Sequence, residues 1–264
     1  MITGAAGGFG ALLALRCLER GACVVALDLD EAALTAAIGP SERCLIRRAD
    51  VTNITDLTEA VAAGVEAFGG IDVLVNNAGI MPLAFFRDHA EAVEAWTRCI
   101  DVNIKGVLNG IIAVHDQMIS VGRGHVVNLS SIYGNAAVAG SAVYGATKAA
   151  VNQLSESLRL ESQGKIKVTV VKPTGVPGTG LGGGVINPSA IEGILGANYE
   201  AYMGTMGQIA AGSADPALVS KDAIEYAALD PETLVEQILF AMDQPWGVVI
   251  SEITVRAAND RYVI

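Results

Sequence analysis

Short apolar runs alternate with amphipathic stretches along most of the chain. The runs are nearly continuous in Val, Leu and Ile, which is typical of parallel strands that are covered on both faces. They lie at 22–28, 71–76, 125–129 and 167–171. Apolar positions at helical spacing predict helices at 9–20, 31–38, 55–68, 90–118 and 142–162. This alternation predicts a single α/β domain over residues 1–264, a doubly wound parallel β-sheet with helices on both faces in three α/β/α layers.

The chain changes character after the predicted strand at 167–171. Residues 175–184 are rich in Gly, and no strand pattern follows until about Leu229. Within this stretch, apolar residues at near-helical spacing predict a helix. So long a segment without strands predicts a substrate lid at about 178–229. Asp230-Pro231 has the form of a helix start, and residues 246–255 are predicted to form the last strand.

The composition narrows the class of protein. Of the 264 residues, 52% are hydrophobic, which excludes intrinsic disorder. The formal net charge of −11 argues against nucleic acid or an anionic membrane as a partner. No apolar run reaches the roughly 18 residues of a membrane span, and no basic residue precedes the uncharged residues 1–15 as it would in a signal peptide. We therefore expect a cytoplasmic protein.

The cysteines and histidines do not form a recognisable metal site. The four cysteines are scattered without a Cys-x-x-Cys pair, which favours free thiols over a disulfide framework. The three histidines form no His-x-x-x-His pair. The sequence therefore predicts no bound metal.

A glycine-rich turn leads from the first strand into the first helix. It reads TGAAGGFG over residues 3–10, and its candidate cofactor-binding residues are Gly4, Gly8, Phe9 and Gly10. Glycines permit the tight turn and let backbone N–H groups approach a pyrophosphate at the helix N-terminus, as in a Rossmann-like fold. By itself, such a turn is as often an ordinary strand–helix connection.

Asp28 ends the second strand, about twenty residues further on. A carboxylate at this position can accept hydrogen bonds from both hydroxyls of a ribose. It would repel a 2′-phosphate, and no Arg or Lys lies in the glycine loop to compensate. The sequence therefore predicts NAD as the cofactor rather than NADP. The alternative is a solvated aspartate at a strand end.

Two more motifs follow the third and fourth strands. The side chain of Asp50, which precedes Val51, could accept a hydrogen bond from an adenine amino group. Asn77, Ala78 and Gly79 combine small residues that let the backbone approach a ligand. Either motif alone is as often a turn as a binding site.

Tyr144 and Lys148 lie four residues apart on a predicted helix and therefore share one face. Lowering a phenol pKa by three units from its usual value near 10 requires about 4 kcal/mol of preferential anion stabilisation, which a fixed cation can supply. No other tyrosine in the chain has a lysine four residues later. If one tyrosine is a catalytic base, it is Tyr144. Taken alone, the pair is more often a tyrosine beside a solvated lysine.

Taken in order, these motifs resemble those of classical short-chain dehydrogenases/reductases over nearly the whole chain. The resemblance rests on TGAAGGFG, Asp50-Val51, NNAG, Asn103, a Ser-Ser pair and YGATK. It implies that Tyr144 is the general acid/base and that Lys148 holds the nicotinamide ribose and lowers the tyrosine pKa. It also implies that Ser131 polarises the substrate carbonyl and that Asn103 completes a proton relay through water. Both Tyr144 and Lys148 would then contact the cofactor.

The choice of Ser131 over Ser130 follows from the same resemblance, because the family serine usually lies thirteen positions before the tyrosine, as Ser131 does. Neighbouring residues on a strand point to opposite faces, so only one of the two can address the substrate. Ser130 is expected to face the core.

The sequence departs from the family pattern in two places. The family's sixth strand is usually followed by Pro-Gly, whereas this chain has Pro173-Thr174-Gly175-Val176. Pro173 and Val176 are still expected to contact the cofactor, but Thr179 is one position away from the usual threonine. The first strand also lacks most of its usual residues. Its loss would leave backbone N–H and C=O groups unpaired in the centre of the sheet. We therefore expect that the native chain begins upstream of Met1.

These observations predict an NAD(H)-dependent oxidoreductase that interconverts a secondary alcohol and a ketone. One alternative is a ketoacyl-type reductase, although this acidic chain lacks the basic docking patch of such enzymes. Another is a catalytically silent dinucleotide-sensing protein, which would not need the complete catalytic set. Apolar residues after Gly79 and in the lid predict a bulky neutral substrate. The apolar helices at 90–118 and 142–162, which the family pairs across a two-fold axis, predict a homotetramer or homodimer.

Overall fold

A seven-stranded parallel sheet forms the centre of the computed structural model, which describes residues 1–264. The strand order is β3-β2-β1-β4-β5-β6-β7, and all neighbouring strands pair in parallel. The strands are β1 (Ile2–Thr3), β2 (Val24–Asp28), β3 (Cys44–Arg48), β4 (Val73–Asn76), β5 (Gly124–Leu129), β6 (Ile166–Pro173) and β7 (Glu252–Val255). The strand order reverses between β1 and β4, and in open α/β sheets the crevice at such a reversal is where ligands bind.

Helices cover both faces of the sheet. Those that precede β6 are α1 (Gly8–Glu19), α2 (Glu31–Ile38), α3 (Ile54–Phe68), α4 (His89–Ile100), α5 (Gly106–Val121) and α6 (Ala142–Glu161). Those that follow are α7 (Glu192–Leu195), α8 (Tyr199–Ala210), α9 (Pro216–Val219) and α10 (Pro231–Met242). The predicted Rossmann-like α/β/α fold is confirmed.

Two apolar clusters of equal size lie on opposite faces of the sheet. One joins the inner faces of α3, α5 and α6 and includes Leu57, Val114 and Val151. The other joins α1 and α10 and includes Leu13 and Ile238. Alternate residues of the strands supply the two clusters, since Val25 and Leu27 belong to the first and Val24 and Ala26 to the second.

The first strand is short, yet it occupies the centre of the sheet. Ile2 pairs with Ala26 of β2 and with Val75 of β4. The Met1 amino group donates to the Val73 carbonyl at 2.8 Å, and the Val75 N–H donates to the Met1 carbonyl at the same distance. These few residues thus hold the strands on either side of the glycine loop together.

The continuous helix predicted at 90–118 is interrupted. Residues Asp101–Lys105 form a π-helical turn between α4 and α5, in which the Gly106 N–H donates to the Asp101 carbonyl. Such turns insert one extra residue into a helix and occur frequently at functional sites. Here the turn contains Asn103, which is completely buried.

The predicted strand at 246–255 is too long, because only Glu252–Val255 pair with β6. The start of this apolar run is held by side chains instead of by a ladder. The Arg123 guanidinium lies over the Trp246 ring, 4.8 Å from its centroid, and the Lys167 ammonium lies over the same ring at 5.0 Å. The segment 178–229 contains no strand, as predicted, and carries α7, α8 and α9. None of the helices is long and apolar enough to cross a membrane.

Candidate active site

The glycine loop connects β1 to α1 at the point where the strand order reverses. Gly4 and Gly8 have φ angles of +66° and +52°, which side chains rarely adopt. A Cβ on Gly10 would overlap the Gly4 carbonyl oxygen, so only glycine lets α1 approach the loop this closely. A Cβ on Gly7, by contrast, would meet nothing within 4 Å. The loop is therefore packed tightly against the sheet and is open on the side where a pyrophosphate would lie.

Asp28 stands beside this loop at the end of β2. One carboxylate oxygen accepts a hydrogen bond from the Ala6 N–H at 2.9 Å, and the other accepts one from the Asp30 N–H at 3.2 Å. Asp28 thus ties the glycine loop to the end of β2. Its remaining acceptor capacity faces two neighbouring cavities that it lines.

The first cavity, of about 630 Å³, lies between the ends of β2 and β3 and the start of the segment after β4. Four of the candidate cofactor-binding residues line it, namely Asp50, Val51, Ala78 and Gly79. Asp50 accepts hydrogen bonds from the N–H and hydroxyl of Thr52, at 2.9 and 2.8 Å. Burial acts to raise the Asp50 pKa, but these bonds and nearby arginines outweigh it and lower the pKa. Asp50 therefore presents an ionised acceptor to this cavity.

The second cavity, of about 930 Å³, contains the candidate catalytic residues Ser131, Tyr144 and Lys148. It shares five lining residues with the first cavity, namely Gly4, Asp28, Ala78, Gly79 and Ile80. The remaining predicted residues on its wall are Gly8, Phe9, Asn77, Pro173 and Val176. The two cavities together form a continuous groove across the carboxyl ends of the strands, and the residues present fit a dinucleotide.

Tyr144 lies on the first turn of α6, with only 3% of its surface exposed. Its ring packs edge-to-face against Tyr133, with 5.4 Å between the centroids. Burial raises the pKa of its phenol, while a hydrogen bond with the Ser131 side chain acts in the opposite direction. Ser131 is thereby placed on the hydroxyl end of Tyr144, whereas the Ser130 hydroxyl turns away and donates to the Lys148 carbonyl at 3.1 Å.

Lys148 follows one helical turn after Tyr144 and faces the same cavity. Its ammonium donates to the Leu129 carbonyl at 2.8 Å and lies 5.7 Å from the centroid of the Tyr144 ring. Burial lowers the Lys148 pKa to about 8. The side chain is therefore mostly protonated at neutral pH, and it brings a positive charge next to the buried phenol.

Two of the predicted residues do not line either cavity. Gly10 packs beneath the glycine loop, and Asn103 lies behind Gly79. The Asn103 side chain accepts from the Ile80 N–H at 2.9 Å, donates to the Ile80 carbonyl at 2.9 Å, and donates to the Thr147 hydroxyl at 3.1 Å. It therefore ties the segment after β4 to α6, next to both Tyr144 and Lys148.

Thr179 does reach the groove, despite its shifted position in the sequence. Its carbonyl oxygen would lie 2.9 Å from a Cβ on Gly8, and its hydroxyl donates to the Val176 carbonyl at 3.2 Å. The backbone of the Gly-rich stretch after β6 thus passes directly over the glycine loop.

Tyr262 is a wall residue that reasoning from the sequence missed. Its hydroxyl is 3.0 Å from that of Tyr202 on α8, and a Cβ on Gly175 would overlap it. Tyr202, Tyr262 and Tyr133 all line the second cavity. No local pattern around Tyr262 suggests a site, because the chain must first fold for residues near its end to reach the loop after β6.

A parallel sheet with a dinucleotide groove at its switch point and a buried Tyr-Lys pair beside that groove defines a nicotinamide-dependent oxidoreductase of the Rossmann class. The family described as short chain dehydrogenase matches residues 1–186, and the chain belongs to this family.

Several relatives support this assignment. An uncharacterized oxidoreductase of Listeria monocytogenes is 32% identical over 97% of this chain and 94% of its own length. A 2,5-dichloro-2,5-cyclohexadiene-1,4-diol dehydrogenase of Sphingobium indicum is 39% identical over 67% of this chain and 72% of its own length. Among solved structures, the closed form of a serine dehydrogenase complexed with NADP+ has a TM-score of 0.77 and 29% identity, covering 96% of this chain and 92% of that one. The chain is thus an oxidoreductase whose fold binds a nicotinamide dinucleotide.

Proposed function

We propose that this protein is an NAD(H)-dependent dehydrogenase that interconverts a secondary alcohol and a ketone on a bulky, neutral, apolar substrate. The observation that carries the proposal is the second cavity. It brings Ser131, Tyr144 and Lys148 into one space with the glycine loop, and Asp28 and Lys148 are the only charged residues among those that line it.

In this proposal the dinucleotide is held by the glycine loop, Asp28, Asp50 and the backbone of Ala78 and Gly79. When bound, its nicotinamide exchanges a hydride with the substrate carbon. The Tyr144 hydroxyl takes the proton of the alcohol during oxidation and returns it during ketone reduction. Ser131 and Tyr144 both direct donors at the substrate oxygen, so that charge developing there is stabilised.

The protonation state of Tyr144 depends on opposing effects. Burial disfavours the phenolate, whereas the hydrogen bond with Ser131 and the protonated Lys148 beside the ring favour it. Because Lys148 donates to the Leu129 carbonyl at 2.8 Å, the position of its charge is fixed. We propose that this fixed cation is what makes Tyr144 usable as a base, and that Asn103 contributes to the proton relay by positioning the segment around Ile80 and Thr147.

The segment 178–229 is proposed to be the substrate lid. Val185, Ile191, Ile194 and Tyr202 come from this segment and supply apolar and phenolic surface to the second cavity. The Thr179 backbone also lies against Gly8. Movement of the segment would therefore open the dinucleotide groove and the substrate space together.

The scarcity of charged side chains in the second cavity favours a neutral substrate. No arginine lines it, and its only lysine is Lys148. A substrate carboxylate or phosphate would lack a free cation to pair with. The cyclohexadiene-diol dehydrogenase among the relatives is named for a neutral cyclic alcohol, and this supports the proposed substrate class.

Asp28 supports NAD as the preferred cofactor. Its carboxylate is held by the N–H groups of Ala6 and Asp30, and Arg98, in the first cavity, is the only arginine that lines either cavity. Two like charges 4 Å apart repel by about 1 kcal/mol in bulk water and by about 4 kcal/mol near a protein surface. A 2′-phosphate at this position would therefore be disfavoured, whatever cofactor the serine dehydrogenase holds.

A panel of neutral cyclic alcohols, assayed at 340 nm with NAD and with NADP, tests the function. We expect oxidation with NAD and a kcat/KM at least tenfold higher than with NADP, a difference of about 1.4 kcal/mol. Asp28→Asn keeps an oxygen for the Ala6 N–H but removes the charge, so it should narrow this ratio. Equal efficiency with both cofactors would refute the role of Asp28. Ketoacyl substrates that react better than any cyclic alcohol would favour the ketoacyl-type reductase, and binding without turnover would favour the dinucleotide sensor.

A further inference from the structure

Two phenols meet at the lid side of the second cavity. The hydroxyls of Tyr202, on α8, and Tyr262, near the end of the chain, are 3.0 Å apart, and their ring centroids are separated by 5.7 Å. Tyr133 packs on Tyr144, and both residues belong to the apolar cluster against which Tyr202 and Tyr262 pack. The Tyr202–Tyr262 pair thus shares one cluster and one cavity with the proposed general acid/base.

The position of Tyr262 is fixed by several backbone contacts. The Val263 N–H donates to the Ile194 carbonyl at 2.9 Å, and the Asn198 side chain donates to the Arg261 carbonyl at 3.0 Å. On its other side, the Tyr262 hydroxyl lies so close to Gly175 that a Cβ there would overlap it. The phenol is therefore held between the lid segment and the loop after β6.

The Tyr202–Tyr262 pair does not use all of its hydrogen-bonding capacity. Each phenol has one donor and can accept, so one mutual hydrogen bond leaves one O–H donor and free acceptor lone pairs. Burial and the neighbouring Tyr202 raise the pKa of Tyr262, which keeps this phenol neutral. The remaining hydrogen-bonding capacity therefore suits an uncharged oxygen. A hydroxyl can both donate and accept a hydrogen bond, and a carbonyl can accept one.

We propose that Tyr262 and Tyr202 bind a second, uncharged oxygen of the substrate, so that the preferred substrates are diols or hydroxyketones and Tyr262 determines this specificity. This inference rests on the proposed function, since it assumes that the first oxygen lies at Tyr144. The rest of the substrate would contact apolar side chains that line the same cavity, which include Leu83, Ile132 and Ile194.

The test compares cyclohexanol with 1,2-, 1,3- and 1,4-cyclohexanediol, with NAD as the cofactor. We expect the unmodified enzyme to oxidise at least one diol with a kcat/KM tenfold or more above that for cyclohexanol. Removing a hydrogen-bonding hydroxyl in Tyr262→Phe or Tyr202→Phe should lower this diol preference about tenfold. Tyr199→Phe is the matched control, because Tyr199 is also on α8 but does not line the cavity, and it should keep the diol preference of the unmodified enzyme.

A purely structural role for Tyr262 would lower the two rates equally and leave their ratio unchanged, and that result would overturn the inference. Should no alcohol be oxidised at all, the proposed function fails, and calorimetry still decides the inference. In that case, the inference is overturned if the diols bind to the NAD-loaded protein no more tightly than cyclohexanol does. It is also overturned if a diol binds to Tyr262→Phe as tightly as to the unmodified protein. Weaker diol binding by Tyr262→Phe, but not by Tyr199→Phe, would support it.

Discussion

At the scale of single residues, the structure separates side chains that face the groove from those that hold others in place. Tyr144, Ser131 and Lys148 line the second cavity, whereas Asn103 lies behind it and bonds to the backbone of Ile80. A change in a lining residue is therefore expected to affect chemistry or binding directly. A change in Asn103 should act through the geometry of its neighbours.

Tyr144→Phe should lower the turnover number by 10²- to 10⁴-fold and leave NADH affinity nearly unchanged. The ring that packs on Tyr133 is kept, and only the ionisable hydroxyl is lost. Steady-state kinetics together with fluorescence titration of NADH measure both quantities. Lys148→Ala provides the contrast, because it should weaken cofactor binding as well as turnover. Full activity of a correctly folded Tyr144→Phe variant would show that the Tyr-x-x-x-Lys match is coincidental.

At the scale of elements, periodicity predicted most helices and buried strands to within a few residues. This succeeded because strands covered on both faces are nearly continuous in apolar residues, as in Val24–Asp28. The π-helical turn at Asp101–Lys105 was missed, since one inserted residue leaves the apolar pattern of the flanking helices intact. The last strand was overestimated because apolar residues before Glu252 make other contacts, such as those of the Trp246 ring with Arg123 and Lys167.

The candidate site could be predicted only in part from the sequence, because only some of its contacts are local. The contact between Tyr144 and Lys148 is local, because a spacing of four residues on a helix places both on one face. The contact between Tyr262 and Gly175 is made by segments distant in the sequence, and only the tertiary structure brings them together. Glycine at position 175 could be read as a turn residue, with no indication that a phenol fills the space a side chain would need.

A buried histidine on β5 makes the sheet sensitive to acid. The His125 Nε2 atom is 2.8 Å from the Thr169 hydroxyl, which itself donates to the Ile250 carbonyl, so Nε2 is the donor. Burial lowers the His125 pKa to about 4 from 6.5, and the nearby Lys167 acts in the same direction. Below pH 6.5 the unfolded chain binds a proton that the folded chain excludes. Because of this difference in His125 protonation, the free energy of unfolding decreases as the pH falls from about 6.5 to about 4.

We expect this histidine to remove about 2 kcal/mol of unfolding free energy between pH 7 and pH 5, since each pH unit below 6.5 costs about 1.4 kcal/mol. Urea titrations at the two pH values measure this quantity. His125→Gln keeps a hydrogen-bond donor but cannot titrate. Subtracting its change in unfolding free energy from that of the unmodified protein removes the contribution of the carboxylates. If the two proteins lost the same free energy over this interval, the low pKa of His125 would be disproved.

At the scale of the whole molecule, α5 and α6 leave an apolar surface exposed. Leu108 and Ile112 lie one turn apart on α5 and are 39% and 51% exposed. On α6, the small residues Ala142, Ala146 and Ala149 are exposed at helical spacing, which would let a second helix approach closely. Short-chain dehydrogenases are often oligomeric, and these two helices are our proposed contact in a homodimer or homotetramer.

Sedimentation velocity at micromolar concentration tests this proposal. The unmodified protein should sediment as a dimer or tetramer, and Ile112→Glu should shift it towards a monomer by placing a charge in an apolar contact. Ile224→Glu is the control, since Ile224 is 75% exposed but lies outside both helices. A monomer before any substitution would refute the proposed assembly.

The position of Tyr262 near the end of the sequence sets the order in which the two parts of the site are translated. All seven strands and every predicted dinucleotide contact have been translated once Val255 is added. The wall of the second cavity is complete only after Tyr262 follows. At about 5–20 residues per second the delay is brief, but the residues for the cofactor always come before Tyr262. A ribosome that stalls between these two points would carry a nascent chain with the residues proposed to hold its cofactor and without Tyr262, which is proposed to select its substrate.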